Sequence, residues 1–220
     1  MTYTNPNHSQ KQAYPSTAFY RNFFRLAAPA LGLLLLSPCA LLAETNAQMA
    51  KRIVTVCTTD RPGQVTDQAR LVASQIFRGI GVKLVWHIDA RFCEAHPDQA
   101  IVVSYSRNTP KELRPGTFAM ALPYEGTHIE IFSDRVGAVG GGVREDLLGH
   151  VLAHEITHML QGSARHSDSG LMKAHWDRAE LAQMKVRHFS FTDLDALLIY
   201  NGLAARDAAG AAVAAANRVE

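Results

Sequence analysis

The chain of 220 residues carries no excess of charge of either sign: 22 Lys and Arg stand against 20 Asp and Glu, for a formal net charge of +2. That balance gives no electrostatic case for nucleic acid, whose partners concentrate positive charge. The long apolar runs of a multi-span membrane protein are missing; one stretch alone approaches membrane length. Neither a G-x-G-x-x-G nor a G-x-x-x-x-G-K-[ST] pattern occurs. The one glycine cluster, Gly137 with Gly140-Gly141-Gly142, therefore reads as a flexible loop and not as a phosphate cradle. Cysteine is scarce, with three residues, too few for a scaffold built from disulfides. No internal repeat is visible. What is present is 47% hydrophobic residues, enough to bury the core of one domain, and ten histidines, which is many.

The first 47 residues differ from the rest. Leu26 to Ala43 runs without a charge around Leu31-Gly32-Leu33-Leu34-Leu35-Leu36, Arg21 and Arg25 precede it, and the first acidic residue is Glu44. A basic segment, an apolar segment and then small residues form the pattern of a secretory signal, here with cleavage after Ala43 or Ala47. An uncleaved membrane anchor and a lipoprotein acylated at Cys39 are the alternatives, although Pro29 and Pro38 interrupt the run. All three put the rest of the chain outside the cytoplasm, secreted, periplasmic or tethered, with the membrane as a partner only if the segment stays. Without Lys11, Arg21, Arg25 and Glu44 the chain holds 19 basic and 19 acidic residues. Cys57 and Cys93 are then an even pair in an oxidising compartment, a candidate disulfide.

The expected domain spans 48–203. Ile53 to Thr58 is rich in β-branched residues and reads as a strand. Gln64 to Phe77 has helical spacing at Val65, Ala69, Val72, Ala73 and Ile76, closed by Gly79 and Gly81. Val82 to Ile88 and Ala100 to Tyr105 read as strands. Phe118 to Leu122 and His128 to Phe132 form a hairpin around Pro123-Tyr124-Glu125-Gly126. Val143 to Gln161 is a strong, mostly buried helix; Trp176 to Met184 and Asp193 to Leu203 are two more, the last with Thr192 as N-cap. Residues 204–220 form an Ala-rich tail, read as a fraying helix end or disorder. The fold class is α+β, α/β-like: a mixed, mostly parallel, twisted five-stranded sheet with a helix carrying the site and a mostly helical C-terminal part.

On the buried helix the chain reads His154-Glu155-Ile156-Thr157-His158. Histidines four apart lie one turn apart on one side, so both imidazoles can reach one metal ion. Glu155 is offset towards the same cleft and can take a proton from a water on that ion. His150 extends the ladder, but about 12 Å of helix rise separates it from His158, too far for all three to share one ion. Only the pair His154 and His158 encloses a glutamate at the right offset, so His150 reads as structural. A catalytic zinc takes a third protein ligand. Gly162 can end the helix in a left-handed conformation and let the chain bring His166 back to the metal. Asp168, His175, Asp177 and Glu180 are the alternatives for that place.

The stretch resembles the metzincin superfamily of zinc peptidases, particularly its matrixin-like members. Their signature is H-E-x-x-H-x-x-G-x-x-H followed by a turn containing Met. His154, Glu155, His158, Gly162 and His166 match its residue types in order, and Met172 in Gly170-Leu171-Met172 matches the Met-turn. Both gaps around Gly162 are longer by one residue than in the family. The resemblance implies one catalytic Zn²⁺ held by His154, His158 and His166, with Glu155 as general base. It also implies a peptide or protein substrate paired along Phe118 to Leu122, and Met172 lying beneath the metal. The expected function is an exported zinc-dependent endopeptidase. The alternative, prompted by the altered spacing, is a non-catalytic zinc-binding module or pseudo-peptidase.

Overall fold

The structure, a computed structural model, describes residues 52–58, 67–88, 90–95, 100–123, 127–140, 142–216 and 218. The leader, Cys39 and Tyr124 lie outside the described residues. Five strands form one sheet: β1 (Ile53–Thr58), β2 (Lys83–His87), β3 (Ala100–Ser106), β4 (Ala119–Ala121) and β5 (His128–Phe132). Their order is β2-β1-β3-β5-β4, with every neighbouring pair parallel except β4 and β5, which are antiparallel. The sheet is thus mostly parallel, and β4 lies at its edge.

Helix α1 (Asp67–Arg78) makes the crossover from β1 to β2 and turns Ala69, Val72, Ala73, Ile76 and Phe77 inward. Its partner is α4 (Arg144–Gln161), the central helix, in which every residue from Leu147 to Leu160 is buried. A helix apolar on nearly all sides must be covered on nearly all sides, and Gly149 shows how closely. A Cβ there would lie 2.5 Å from the Cβ of Val72, so α1 and α4 meet at a distance that only glycine allows. Glu145 and Asp146 in the first turn of α4 favour its positive end. The long last helix, α6 (Asp193–Ala216), crosses α4 at Gly202, where a Cβ would sit 1.6 Å from the carbonyl oxygen of Leu160. Tyr200 fixes the same helix to the end of α1's loop by donating its hydroxyl to the Ile80 carbonyl (2.5 Å), with Arg52 over its ring.

Cys57 and Cys93 are joined as a disulfide, with Cα atoms 5.8 Å apart, which ties β1 to the short helix α2 (Ala90–Ala95). That helix and α3 (Ser133–Ala138) are absent from the sequence reading; six residues are too few to display a helical period. The edge strand is shorter than expected, with Pro123 two residues past its end. α5 (Arg178–Gln183) starts two residues later than expected, because Asp177 is extended (φ −78°, ψ 176°) and caps it. Conversely α6 continues to Ala216, although Leu203 is its last buried residue. Arg206 still donates to the Met159 carbonyl (3.1 Å); beyond it 207–216 is exposed throughout, and alanine's helix propensity, the highest of all residues, holds the helix there. Among the described residues no helix is long and apolar enough to cross a membrane.

Candidate metal centre

Helix α4 puts His154 and His158 one turn apart, both buried. Each ring is oriented by a backbone carbonyl. Nδ1 of His154 lies 3.0 Å from the Leu171 oxygen, and Nδ1 of His158 lies 2.9 Å from the Ser163 oxygen. A carbonyl only accepts, so in both rings the hydrogen sits on Nδ1 and Nε2 is a bare lone pair. Burial above all pushes both imidazoles down, His154 to about 3 and His158 to about 4, so neither carries a second proton near neutrality. The two Nε2 atoms are 3.0 Å apart. Two bare lone pairs at that distance repel unless a cation lies between them.

His166 completes the group. One ligand nitrogen from each of His154, His158 and His166 lies within 4.8 Å of the others. Gly162 ends α4 at φ 60°, ψ 27°, the left-handed turn that lets the chain reverse. The reversed segment is closed by Ser167, whose N–H donates to the Met172 carbonyl (2.7 Å). The next turn passes through Gly170 at φ 74°, where a Cβ would lie 2.6 Å from the Ser190 oxygen. Leu171 donates to that same oxygen (2.9 Å), which leaves its own carbonyl aimed at His154. Met172 follows, fully buried.

Among the described residues none of the alternatives for the third place joins the group formed by His154, His158 and His166. Glu180 receives Lys173 Nζ at 2.7 and 2.8 Å and the N–H of Asp177, while Asp177 caps α5 by accepting from the Glu180 N–H. Asp168 and His175 are exposed, and His175 rests against Gly116 at the cleft mouth. His150 is satisfied at both nitrogens: it donates from Nδ1 to the Asp146 carbonyl (2.7 Å) and accepts the Phe189 N–H at Nε2 (3.1 Å). Trp176 stands edge-on to both His150 and His154 and so joins the structural histidine to the metal group.

Glu155 lies at the floor of a cleft of about 620 Å³, with the three histidines, the edge strand β4 and residues 173–176 around it. Burial pushes its carboxyl up to about 8, partly offset by a hydrogen bond from the backbone of Ala121. That bond follows from register. Phe118 and Leu122 direct their backbone bonds to β5, so the alternating Ala119 and Ala121 face the other way, towards the cleft.

Sequence reasoning missed the support around these residues: the Leu171 and Ser163 carbonyls, Trp176, and a polar cluster of Arg165, Ser167 and Asp195. Asp195 is fully buried and accepts from Arg165 Nη2 (2.5 Å) and Ser167 Oγ (2.7 Å). The pattern Thr192-x-x-Asp195 signals a helix start, but nothing in one sequence pairs Asp195 with a residue thirty positions earlier.

No protein-family model matches the chain, and no curated protein matches it. Among solved structures the chain is similar to a zinc-dependent peptidase from Methanocorpusculum labreanum (strain Z), at 12% sequence identity and a TM-score of 0.45, over 67% of this chain and 99% of that one.

Proposed function

We propose that the protein is an exported zinc-dependent endopeptidase, in which His154, His158 and His166 hold one zinc ion and Glu155 is the general base. The observation that carries this reading is the pair of bare Nε2 atoms 3.0 Å apart, with a third imidazole in reach and a carboxyl beside them. Neutral nitrogen donors whose other ring nitrogen is fixed by a carbonyl are the donor set that zinc favours. Bound there, zinc supplies a Lewis acid for the scissile carbonyl and a water of lowered pKa.

The chain's own residues do the rest. Glu155 takes the proton of the attacking water and later returns it to the leaving amine. A carboxyl that burial raises to about 8 holds a returned proton readily; zinc held by the three histidines would favour its ionised form for the first transfer. The Ala121 N–H keeps the carboxylate in place. β4 offers the cleft-facing backbone of Ala119 to an extended substrate, the strand-addition mode of peptide binding. Gly162 reverses the chain so that His166 can return, and Met172 forms the floor beneath the metal. The disulfide between Cys57 and Cys93 supports an oxidising compartment, in keeping with 1–47 as a signal or an anchor. Mass spectrometry of the mature N-terminus separates those two.

The deciding experiment is Glu155→Gln assayed on a quenched fluorescent peptide library with zinc content measured in parallel. The variant is expected to retain one zinc per chain and to lose cleavage by about 10²- to 10⁴-fold. Wild-type cleavage by the variant would remove Glu155 as the base. A wild-type protein that holds zinc but cleaves nothing in the library would be a zinc-binding module instead.

A further inference from the structure

We propose that Asp195 is the positioning residue for the third metal ligand, and that it is the device by which a loop longer than the metzincin spacing still delivers His166. The inference rests on the metal reading above. Both gaps around Gly162 are one residue longer than in H-x-x-G-x-x-H, so the left-handed turn alone does not fix where His166 arrives. Something must pin the chain on the far side of that turn.

The pin is a single buried carboxylate. Its Oδ1 accepts from Arg165 Nη2 (2.5 Å) and from Ser167 Oγ (2.7 Å), the residues immediately before and after His166. Its Oδ2 accepts from Thr192 Oγ1 (2.7 Å) and from the Thr192 N–H (3.1 Å), which anchors it to the first turn of α6. Arg165 adds bonds to the His166 carbonyl (2.9 Å) and to Ser167 Oγ (3.1 Å). Asp195 has no exposed surface, and each of its oxygens holds two donors. Burial alone would raise this carboxyl, but the donors of Ser167, Thr192 and Arg165 hold it below the ordinary carboxylate range. His166 is itself exposed and lies on a loop, its ring set against those of His154 and His158 (centroids 5.3 and 4.9 Å). Fixing both its neighbours to a buried acid on another helix supplies the orientation that His154 and His158 draw from α4.

The arrangement also says which change is sharp. Asparagine has the same shape, but its amide nitrogen would face two donors instead of accepting from them, and the charge that Arg165 meets is gone. Zinc affinity of the full chain, measured by competition with chelators of graded strength, is the readout. Asp195→Asn is expected to weaken zinc binding by about 10- to 100-fold, the range for residues that orient ligands. His166→Ala should weaken it at least as much. Because Asp195 acts through His166, adding Asp195→Asn to His166→Ala should change affinity by less than about twofold. A merely structural role would not produce that non-additivity. The absorption spectrum of the cobalt-substituted Asp195→Asn protein should also match that of His166→Ala. Should Asp195→Asn not fold, Ser167→Ala removes one of the two ties, with a several-fold loss expected that likewise vanishes in the His166→Ala background. Wild-type affinity in the folded variants, or losses that multiply in the double variant, would overturn the proposal. A wild-type chain that binds no zinc, or a His166→Ala chain that binds it undiminished, would overturn the metal reading itself.

Discussion

His150 gives the fold a pH dependence that can be worked out in advance. The ring is fully buried, donates to the Asp146 carbonyl, accepts the Phe189 N–H, and is faced by the rings of Trp176, His188 and Phe189. Burial above all pushes it down to about 4; the bond to Asp146 opposes this, and His188 adds to it. A histidine with a lowered folded pKa binds more protons unfolded than folded, so its contribution is fully present above about pH 6.5 and is lost as pH falls towards 4. The full loss is about 3 kcal/mol, of which about 2 kcal/mol has gone by pH 5.0. The perturbation is His150→Gln, which can still offer an amide N–H to Asp146 and an oxygen to Phe189 but cannot titrate. Urea unfolding of both proteins, followed by tryptophan fluorescence with chelator present, gives stability at pH 7.5 and 5.0. The wild type should lose about 2 kcal/mol more than the variant over that interval. His154 and His158 titrate in both and cancel in the difference. Parallel pH profiles would refute the reasoning, because a neutral buried His150 is the only difference between the two proteins.

Two further outcomes follow from other parts of the molecule. The disulfide spans a sequence separation of 36, so replacing Cys57 and Cys93 together by alanine should lower unfolding free energy by about 4 kcal/mol, read from the urea midpoint; a loss under about 1 kcal/mol would contradict it. Zinc binding at pH 6.0 should release fewer than one proton per ion from the histidines, since His154, His158 and His166 are all lowered, against about two for unperturbed rings. Calorimetry of Glu155→Gln in buffers of different ionisation enthalpy measures this without the carboxyl titrating. Release of two or more protons would show the rings to be charged before zinc arrives.

What could be read from the sequence and what could not divides along a physical line. His154, Glu155 and His158 sit within one helix, and a helix converts spacing into geometry, so the residue pattern alone sets their relative positions. The β-branched runs at Ile53 to Thr58 and Ala100 to Tyr105 read as strands from composition, since β-branched side chains favour the extended backbone. Helices α2 and α3, six residues each, are too short to display a helical period. The Ala-rich end of α6 was ambiguous because alanine favours helix while offering nothing to bury, and propensity decided the outcome. For His150 the ladder of three histidines already excluded a shared ion, yet the reason it is structural, the Phe189 N–H, lies 39 residues away.

The proposed third ligand, His166, is where the two regimes meet. Between His158 and His166 the chain leaves the helix, and beyond that point the number of residues no longer fixes a direction. Each residue turns the exit from a helix by about 100°, so gaps of three and three residues around Gly162 do not by themselves set where His166 arrives. The loop instead answers to tertiary anchors: the Ser163 carbonyl on His158, the Met172 carbonyl on the Ser167 N–H, and Asp195 on both neighbours of His166. Each anchor removes a freedom that the longer loop would otherwise have. Within a helix, then, motif spacing is a geometric constraint and a departure from it excludes a ligand. Across a loop it is only a length, and a buried acid that holds the loop from outside fixes where its residues go, so that the three imidazoles converge.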